Sequence, residues 1–409
     1  MNRGVELLPA RCEVLVVGAG PAGSAAAQLL ARAGRDVVLI DQHAFPRDKV
    51  CGDGLIPDAL QALERLGVLA QVMAEAQASP ALACIAPRGG RVDVPATLAV
   101  LPRKRLDEIV CRAAVDAGAP MFAPLRFVAP LRDGAGRAVG ASVKQGDAAR
   151  QIASTWIVLA TGAQPQATIA AGLCERRAPS GVAMRGYIEN ATMSERVTRL
   201  EVVWHPRLAP GYGWIFPCGG DVFNIGVGIA QDNRRAEGHL NLHDAFAAFQ
   251  EVYAPARELV ASGRWQGGTN EAMKGAPLRC SLEGARLEAP GLLVTGEAAG
   301  STYALTGEGI GKAMETGLHA AEAILAGGDD ATVRADYAAR VLALKPRFDM
   351  YAQADAALSA HPWTLDLLVW SAKRSPRRVR RLTGVLEETY LPTDAVTARG
   401  VLRRLFDWR

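Results

Sequence analysis

A glycine-rich turn near the N-terminus constrains the fold more than any other part of the sequence. Residues 14–30 contain an apolar, β-branched run, three glycines and an alanine-rich segment, which predicts a strand, a tight turn and a helix. Gly18 permits the turn, Gly20 lets a phosphate approach the backbone, and Gly23 lets the helix pack close to the strand. The helix N-terminus, which includes Ala22, presents unpaired N–H groups. The stretch therefore predicts a cradle for the pyrophosphate of a dinucleotide.

A second apolar strand, predicted at residues 36–40, ends in an acid. Asp41 lies 18 residues after Gly23, and an acidic side chain at this place suits the hydroxyls of a ribose. A lone glycine motif is weak evidence, but strand, glycines, helix, strand and terminal acid in this order favour a dinucleotide-binding unit. The alternative is a tight strand–helix turn that binds nothing.

Length and composition are typical of a large α/β protein. The chain has 409 residues, of which 49% are hydrophobic and 22% charged. We expect a Rossmann-like, cofactor-binding domain in residues 1–164, completed by residues 291–330. An antiparallel-sheet substrate domain is expected in residues 165–290, followed by a helical region in residues 331–409.

Charge and cysteine usage exclude several classes of function. A net charge of +4 is too small to indicate a nucleic-acid partner. The seven cysteines show no disulfide or zinc spacing, and His239 and His243 have no third ligand nearby, so no metal site is predicted. The sequence shows no signal-peptide pattern and no apolar run long enough to span a bilayer. We therefore expect a cytoplasmic protein, or one peripheral to the inner membrane face.

The loop after Asp41 is expected to lie beside the cofactor. It is polar and punctuated by glycines, and it carries Arg47, Lys49, Cys51 and Gly52. Binding and catalytic residues concentrate on loops that a rigid scaffold positions. This loop follows the strand that ends at the predicted ribose-binding acid, so its side chains are candidates for the site.

Two further segments point to the same place. A helix predicted at residues 101–110 begins with Arg103 and other basic residues, against the usual preference for acids in a first turn. An anion nearby would explain this start, and an exposed basic turn is the alternative. A buried strand predicted at residues 155–160 is followed by Thr161 and Gly162, small residues that let a backbone come close to a nucleotide.

Residues 165–290 change to alternating strands with turn signals. Tyr212, Trp214 and Phe216 alternate along one of these strands, so they share one face. An aromatic row of this kind is a natural lining for a flat or apolar ligand, although core packing produces the same pattern. We interpret the row as the substrate-binding wall.

The chain then returns to an α/β pattern with two glycine-rich turns. Gly296 and Glu297 follow an apolar strand, whereas Gly307, Gly309 and Ile310 lead into a helix. Turns at a helix start offer backbone donors to an anion or to the edge of a flavin ring. Both turns are predicted to contact the cofactor.

The C-terminal region is helical in pattern and basic. Residues 371–409 contain ten Lys or Arg and four Asp or Glu. Such a cluster is suited to an anionic lipid surface or to a phosphorylated carrier, but a solvated helix face is the simpler interpretation.

The motifs together resemble the geranylgeranyl reductase family of FAD-dependent oxidoreductases, which is related to aromatic hydroxylases and flavin-dependent halogenases. The resemblance runs in order from about residue 12 to residue 320. It rests on residues 18–23, Asp41, 46–54, 103–107, 160–162, 212–217, 296–300 and 307–310.

This resemblance implies FAD in an extended pose. The adenosine pyrophosphate would lie on residues 18–23 with its ribose on Asp41, and Arg103 would reach the cofactor. Glu297 would meet the ribityl and pyrophosphate region, although the family usually has Asp there, one methylene shorter. Residues 307–311 would lie against the isoalloxazine, where the helix dipole stabilises negative charge on the reduced ring.

Two reactions remain open at this point. The first is reduction of a C=C bond in a prenyl or other apolar chain, with NAD(P)H or a partner reductase as electron donor. In it, Tyr212, Trp214 and Phe216 would be apolar walls, and Cys51, with Lys49 nearby, would be the proton donor or redox partner. The second is monooxygenation, through a C4a-hydroperoxyflavin, of an aromatic substrate that is free or attached to a carrier protein. The loop after Asp41 and the aromatic strand favour the reductase.

Overall fold

A computed structural model describes residues 2–230, 241–267 and 273–391. His239 and the basic residues after 391 lie outside these ranges. Within them, the strands are β1 Arg11–Val17, β2 Val37–Ile40, β3 Gly54–Leu55, β4 Gln77–Ile85, β5 Arg91–Val100, β6 Met121–Phe122, β7 Arg126–Arg132, β8 Ala138–Gln145, β9 Ala148–Leu159, β10 Gly181–Glu189, β11 Leu200–Val203, β12 Gly211–Gly219, β13 Val222–Ala230, β14 Arg264–Trp265, β15 Lys274–Leu278, β16 Glu288–Ala289 and β17 Leu292–Val294. The α-helices are α1 Pro21–Arg32, α2 Pro57–Arg65, α3 Leu69–Glu75, α4 Arg103–Asp116, α5 Gln166–Ala170, α6 Leu242–Val252, α7 Ala254–Ser262, α8 Ile310–Ala326, α9 Asp330–Leu342, α10 Lys345–Ala360, α11 Trp363–Ala372 and α12 Pro376–Leu386.

The first sheet is the Rossmann-like core. Its strands β17-β9-β1-β2-β6 pair in parallel, and β8 and β7 extend it from β9 in antiparallel fashion. Along β1, Val14 and Val16 pack into one core cluster and Leu15 into another, all three with no exposed surface. A strand that is covered on both faces needs a continuous apolar run, which is why the sequence could predict it. The expected α/β fold is confirmed.

The second sheet is larger than the segment predicted for it. Among the described residues its order is β14-β10-β13-β12-β11-β4-β5-β3, with β15 also on β10. All pairings are antiparallel except that of β4 with β11. Strands β3, β4 and β5 lie within residues 1–164, the segment expected to form the cofactor domain, but they belong to this sheet. Local alternation predicts a strand but not its distant partner.

Small residues let helices α1 and α8 pack tightly behind the first sheet. A Cβ at Gly23 would lie 1.8 Å from the Gly18 carbonyl oxygen, and one at Gly317 would lie 2.1 Å from the carbonyl oxygen of Ala22. Neither position tolerates a side chain without a backbone shift. The predicted role of Gly23, close helix–strand packing, therefore agrees with the geometry.

The C-terminal helices lie against the second sheet and one side of the site. Leu365 and Val369 of α11 join Ala86 and Val92, from the β4–β5 hairpin, in one buried cluster. Thr383 of α12 donates a hydrogen bond to the backbone of β5. None of the helices in the described ranges is long and apolar enough to cross a membrane.

Candidate active site

The glycine turn between β1 and α1 contains two kinds of glycine. Gly18 has a φ of +102°, and a Cβ there would lie 2.3 Å from the Ala160 carbonyl oxygen, so the fold itself requires glycine. At Gly20, φ is −72° and a Cβ would meet only the Arg47 guanidinium, at 3.4 Å. Among the residues that the structure describes, no neighbour requires glycine at position 20. Its missing Cβ leaves space for a ligand at the N-terminus of α1.

Asp41, at the end of β2, is tied to this turn. Its carboxylate accepts hydrogen bonds from the N–H groups of Ala19 and His43, both at 2.8 Å. The Nε of Arg47 lies 3.8 Å from Asp41, and its Nη1 lies 3.0 Å from Asp107 Oδ2. Asp41 and Arg47 therefore present an acceptor and a cation at the glycine turn.

Arg103 is held by its own helix. Its buried guanidinium donates to both carboxylate oxygens of Asp107, at 2.6 and 2.9 Å, one turn further along α4. The basic first turn of α4 indicated a nearby anion, and one such anion is the Asp107 carboxylate of the same helix. Asp107 holds Arg103 and Arg47 together, and Arg47 is the one that lies at Gly20.

A buried polar network holds the Cys51 loop on the aromatic strand. Asn224 accepts from Trp214 Nε1 at 2.9 Å and donates to the Cys51 carbonyl and to Asp53 Oδ2, both at 2.8 Å. Tyr187 donates to the same Asp53 oxygen at 2.5 Å. Burial raises the pKa of Asp53 to about 6, against the opposing effect of these hydrogen bonds. Sequence reasoning missed Asn224 and Tyr187 because nothing local marks a polar residue on a strand as the partner of a distant loop.

The aromatic row predicted on β12 is present and longer than expected. The ring centroids of Tyr212 and Trp214 are 6.1 Å apart, those of Trp214 and Phe216 6.4 Å, and Trp204 adds a ring 5.9 Å from Tyr212. A Cβ at Gly52 would lie 3.1 Å from the Phe216 ring, so the loop packs directly on this row. The rings lie on the cavity wall.

The first late turn contains one residue with a structural role, Gly296, and one residue at the site, Glu297. Gly296 has a φ of +64°, and a Cβ there would lie 2.7 Å from the Cβ of Ala22. It packs on α1 and does not line the cavity. Glu297 does line it. The Lys49 ammonium lies 3.8 Å from Glu297 Oε2 and donates to the Val50 carbonyl oxygen. Within the described ranges, Lys49 therefore pairs with these groups and not with the Cys51 thiol.

The second late turn is fixed to the aromatic row. The Tyr212 hydroxyl donates to the Thr306 carbonyl oxygen at 2.5 Å. Gly307 follows with a φ of +67°, and Gly309 is the N-cap of α8, whose first residue is Ile310. The glycines thus bring backbone to the cavity at the N-terminus of a helix of 17 residues.

Glu308, between the two glycines, was part of the motif but received no role from the sequence. Its carboxyl lines the cavity and accepts from Thr306 Oγ1 at 3.3 Å. Burial, with the nearby Asp58 and Glu388 carboxylates, raises its pKa to about 8. Behind it, Lys312 lies 2.8 Å from Glu388 and 3.8 Å from Asp58, whose pKa burial raises to about 7. A carboxyl at the cavity wall is therefore protonated at neutral pH.

A single cavity of about 1390 Å³ joins these features. Pockets for one small ligand are roughly 300–1,000 Å³, so this one has room for a cofactor and a substrate. Gly23 and Gly296 do not line it. The predicted residues that line it are Gly18, Gly20, Ala22, Asp41, Arg47, Lys49, Cys51, Gly52, Arg103, Thr161, Gly162, Tyr212, Trp214, Phe216, Glu297, Gly307, Gly309 and Ile310.

The residues present fit FAD. Gly20 leaves an opening that no side chain fills, and the N-terminus of α1 faces it. Thr161 lines the same cavity, and its buried hydroxyl has no hydrogen-bond partner within the described part of the chain, although buried hydroxyls are normally paired. Bound there, FAD would supply two-electron redox chemistry, with its phosphates at Gly20 and Arg47 and a ribose at Asp41.

Fold and site together define a FAD-dependent oxidoreductase. A family model described as a FAD binding domain matches residues 11–222, just over half of the chain. Two solved structures share the fold at 20% sequence identity. A flavin-dependent brominase, Bmp2, superposes with a TM-score of 0.77 and covers 97% of this chain and 98% of its own. A geranylgeranyl bacteriochlorophyll reductase-like protein from Thermoplasma acidophilum gives 0.70 over 97% and 96%.

The sequence relatives include reductases. A menaquinone reductase from Mycolicibacterium smegmatis is 35% identical over 332 residues, 78% of this chain and 77% of that protein. A digeranylgeranylglycerophospholipid reductase from Methanopyrus kandleri is 29% identical over 325 residues, 76% of this chain and 79% of that protein. The chain belongs to the geranylgeranyl reductase family of FAD-dependent oxidoreductases, as its motifs indicated.

Proposed function

We propose that this enzyme reduces a C=C bond in the prenyl chain of a prenylated quinone or lipid. The observation that carries the proposal is the continuity of one cavity from the glycine turn to an apolar wall. Besides the aromatic row, that wall contains aliphatic side chains: Ile56, Leu82, Leu98, Leu200 and Val202. A long hydrocarbon needs such a surface and offers it no hydrogen bonds. The names of the relatives, which include a menaquinone reductase, support the same substrate class.

In this proposal the aromatic residues position the chain and exclude water. The polar atoms of Tyr212 and Trp214 are already engaged, with Thr306 and Asn224 respectively. Only their ring faces and edges are available to a ligand. Together with Phe216 they would hold one double bond against the cofactor edge at residues 307–310, where reduction would take place.

Reduction of a C=C bond also requires a proton at the second carbon, and two groups on the cavity wall can supply it. The Cys51 thiol is one, on the loop that packs against the aromatic row. The Glu308 carboxyl is the other, and its pKa is raised to about 8, so it holds a proton at neutral pH. We assign the proton to Glu308 because a general acid works best when its pKa lies near the working pH. Lys49, paired with Glu297, would then position the loop.

The electron donor is proposed to be NAD(P)H or a partner reductase. The sequence has one Gly-x-Gly-x-x-Gly unit, at residues 18–23, and the residues around it fit FAD. A nicotinamide cofactor would therefore visit the flavin transiently rather than occupy a second cradle of this kind.

Anaerobic turnover tests the reaction. The FAD-loaded enzyme is reduced chemically without oxygen and mixed with menaquinone or a geranylgeranyl lipid. The masses of the products are then measured by mass spectrometry. The expected product carries two additional hydrogens and forms without oxygen. A product that appears only after oxygen is admitted, and that gains an oxygen atom, would replace the reductase with a monooxygenase.

A matched pair of variants tests the apolar wall. Leu82→Trp places a bulky ring in the cavity, whereas Leu7→Trp places the same ring on the surface, where Leu7 is 65% exposed. We expect Leu82→Trp to retain the yellow FAD and lose turnover, and Leu7→Trp to retain both. Equal turnover of the two variants would show that the substrate lies elsewhere.

A further inference from the structure

Helix α11 exposes two large aromatic side chains on one side. Trp363 and Trp370 are 45% and 51% exposed, and their spacing of seven residues places them on the same helix face. The opposite face of α11 is buried, with Leu365 and Val369 packed against the β4–β5 hairpin. Core packing therefore does not account for the two tryptophans.

The segment that follows α11 is strongly basic. Six cationic residues lie within nine positions. The next carboxylate along the chain is Glu387, and the preceding one, Asp366, contacts Arg88. The six cations are Lys373, Arg374, Arg377, Arg378, Arg380 and Arg381, of which all but Arg378 are exposed. Within the described part of the chain none of the six forms an ion pair with a carboxylate. The Arg374 guanidinium lies 4.1 Å from the centre of the Trp370 ring, which joins the cations to the aromatic face.

This Trp–Arg face, defined as Trp363, Trp370 and the six cations, follows a cavity-lining segment in the chain. The last turn of α10, at Ser359 and Ala360, lines the cavity, and Trp363 follows three residues later. A small cleft runs from Tyr212 to Pro362 and to Leu365, on the side of α11 opposite the tryptophans. Helix α11 therefore has the cleft on one side and the Trp–Arg face on the other.

We propose that the Trp–Arg face docks the enzyme on an anionic lipid bilayer. Tryptophan rings suit the boundary between headgroups and acyl chains, and clustered Arg and Lys side chains bind the negative surface of anionic membranes. An acidic protein would complement the cations but would not require two exposed tryptophans. The docking rests on this surface alone. Its purpose, access to a substrate dissolved in the membrane, rests on the proposed function.

Sedimentation with vesicles tests the docking. The FAD-loaded protein is mixed with vesicles of phosphatidylcholine alone or with added phosphatidylglycerol, and the bound fraction is measured at low and high salt. We expect binding only to vesicles that contain phosphatidylglycerol, and release by salt because surface charges are screened. Binding that is equally strong without the anionic lipid, or no binding at low salt, would overturn the proposal.

Variants test whether the Trp–Arg face is responsible for vesicle binding. At about fivefold in affinity for each charge, Arg377→Gln combined with Arg381→Gln weakens binding roughly 25-fold. Arg11→Gln combined with Arg150→Gln, both exposed on the first sheet, has the same net charge and is expected to bind normally. Equal loss in both double variants would mean that net charge alone binds the vesicles and would refute the assignment.

The aromatic contribution has its own control. Trp370→Ala is expected to lower vesicle affinity about tenfold, since a buried aromatic side chain contributes this much or more. Leu342→Ala removes another exposed apolar side chain, 53% exposed on α9, and is expected to have no effect. Trp370→Ala that binds like the unaltered protein would exclude insertion of this face. Vesicle binding without prenyl reduction would refute the proposed function and leave the docking intact.

Discussion

One substitution distinguishes the role of Gly20 from the roles of the other glycines in the cradle. In Gly20→Ala the new Cβ meets only the end of the Arg47 side chain, at 3.4 Å, and φ is already ordinary at −72°. Alanine restricts the unfolded chain, which stabilises the protein by about 0.4–1 kcal/mol. It is a poorer N-cap than glycine by a similar amount, about 0.5–1 kcal/mol. The two effects nearly cancel, so we expect the unfolding free energy of the apoprotein to be unchanged.

FAD affinity should respond very differently. If a phosphate approaches the backbone at Gly20, the added methyl group occupies its path. Overfilling a close contact costs about 1–3 kcal/mol, which corresponds to about 5- to 150-fold weaker binding. Gly23→Ala is the contrasting variant. Its Cβ would lie 1.8 Å from a backbone oxygen, so about 3 kcal/mol of stability should be lost because strand and helix must separate.

The two quantities are measured separately. Urea unfolding of the apoproteins, followed by far-UV circular dichroism, gives the free energy of unfolding, and flavin fluorescence during a FAD titration gives the dissociation constant. Gly20→Ala that binds FAD as tightly as the unaltered protein would refute the assignment of Gly20 to the phosphate. Gly23→Ala that unfolds at an unchanged urea concentration would refute the packing role.

Three further substitutions probe the second late turn and the loop. Lys312→Met leaves the buried Asp58 carboxylate without its cation, and urea unfolding should show a loss of about 3–5 kcal/mol in the free energy of unfolding; a loss below about 1 kcal/mol would contradict this role of Lys312. Because the pKa of Glu308 is raised from 4.5 to about 8, its carboxyl stabilises the fold below about pH 4.5, and this contribution is lost as the pH rises through 8. Glu308→Gln should flatten that decline, and an equally steep decline in this variant would exclude Glu308 as its source. Glu308→Gln should also lower turnover about 100-fold, whereas Cys51→Ser should retain most of it, since loss of a general acid costs about 10²–10⁴-fold; the opposite result would assign the proton to Cys51.

The sequence predicted the cofactor half of the molecule best because its signals are local. A buried parallel strand, a glycine turn and an acid at the next strand end lie within 30 residues of one another, and each has its own steric or electrostatic reason. The structure brings Asp41 to the turn through its hydrogen bond to Ala19, as the motif required. Arg103 was found from its unusual place in a first turn, but its bidentate partner Asp107 was not foreseen.

Long-range pairing could not be predicted in the same way. The strands at residues 77–85 and 91–100 lie in the segment that was expected to form the cofactor domain, yet they pair in the second sheet through β11. The acidity of Glu308 depends on Asp58, which lies 250 residues earlier in the chain. Burial and charge at such a site follow from packing that no local pattern reports. The exposure of Trp363 and Trp370 likewise depends on which face of α11 is buried, and the tertiary packing determines that face.

The Cys51 loop links the two sheets and couples their roles. It leaves β2 of the first sheet, where Arg47 reaches the glycine turn, and ends in β3, which pairs with β5 of the second sheet. Asn224 connects the loop to Trp214, because it donates to the Cys51 carbonyl and accepts from the Trp214 indole. Asp53, at a φ of +65°, fixes the end of the loop by accepting a hydrogen bond from the backbone N–H of Arg103. A ligand that moves Arg47 therefore acts on the same loop that packs against the aromatic wall. Occupancy of the cofactor end and the shape of the apolar end are expected to depend on each other through this loop.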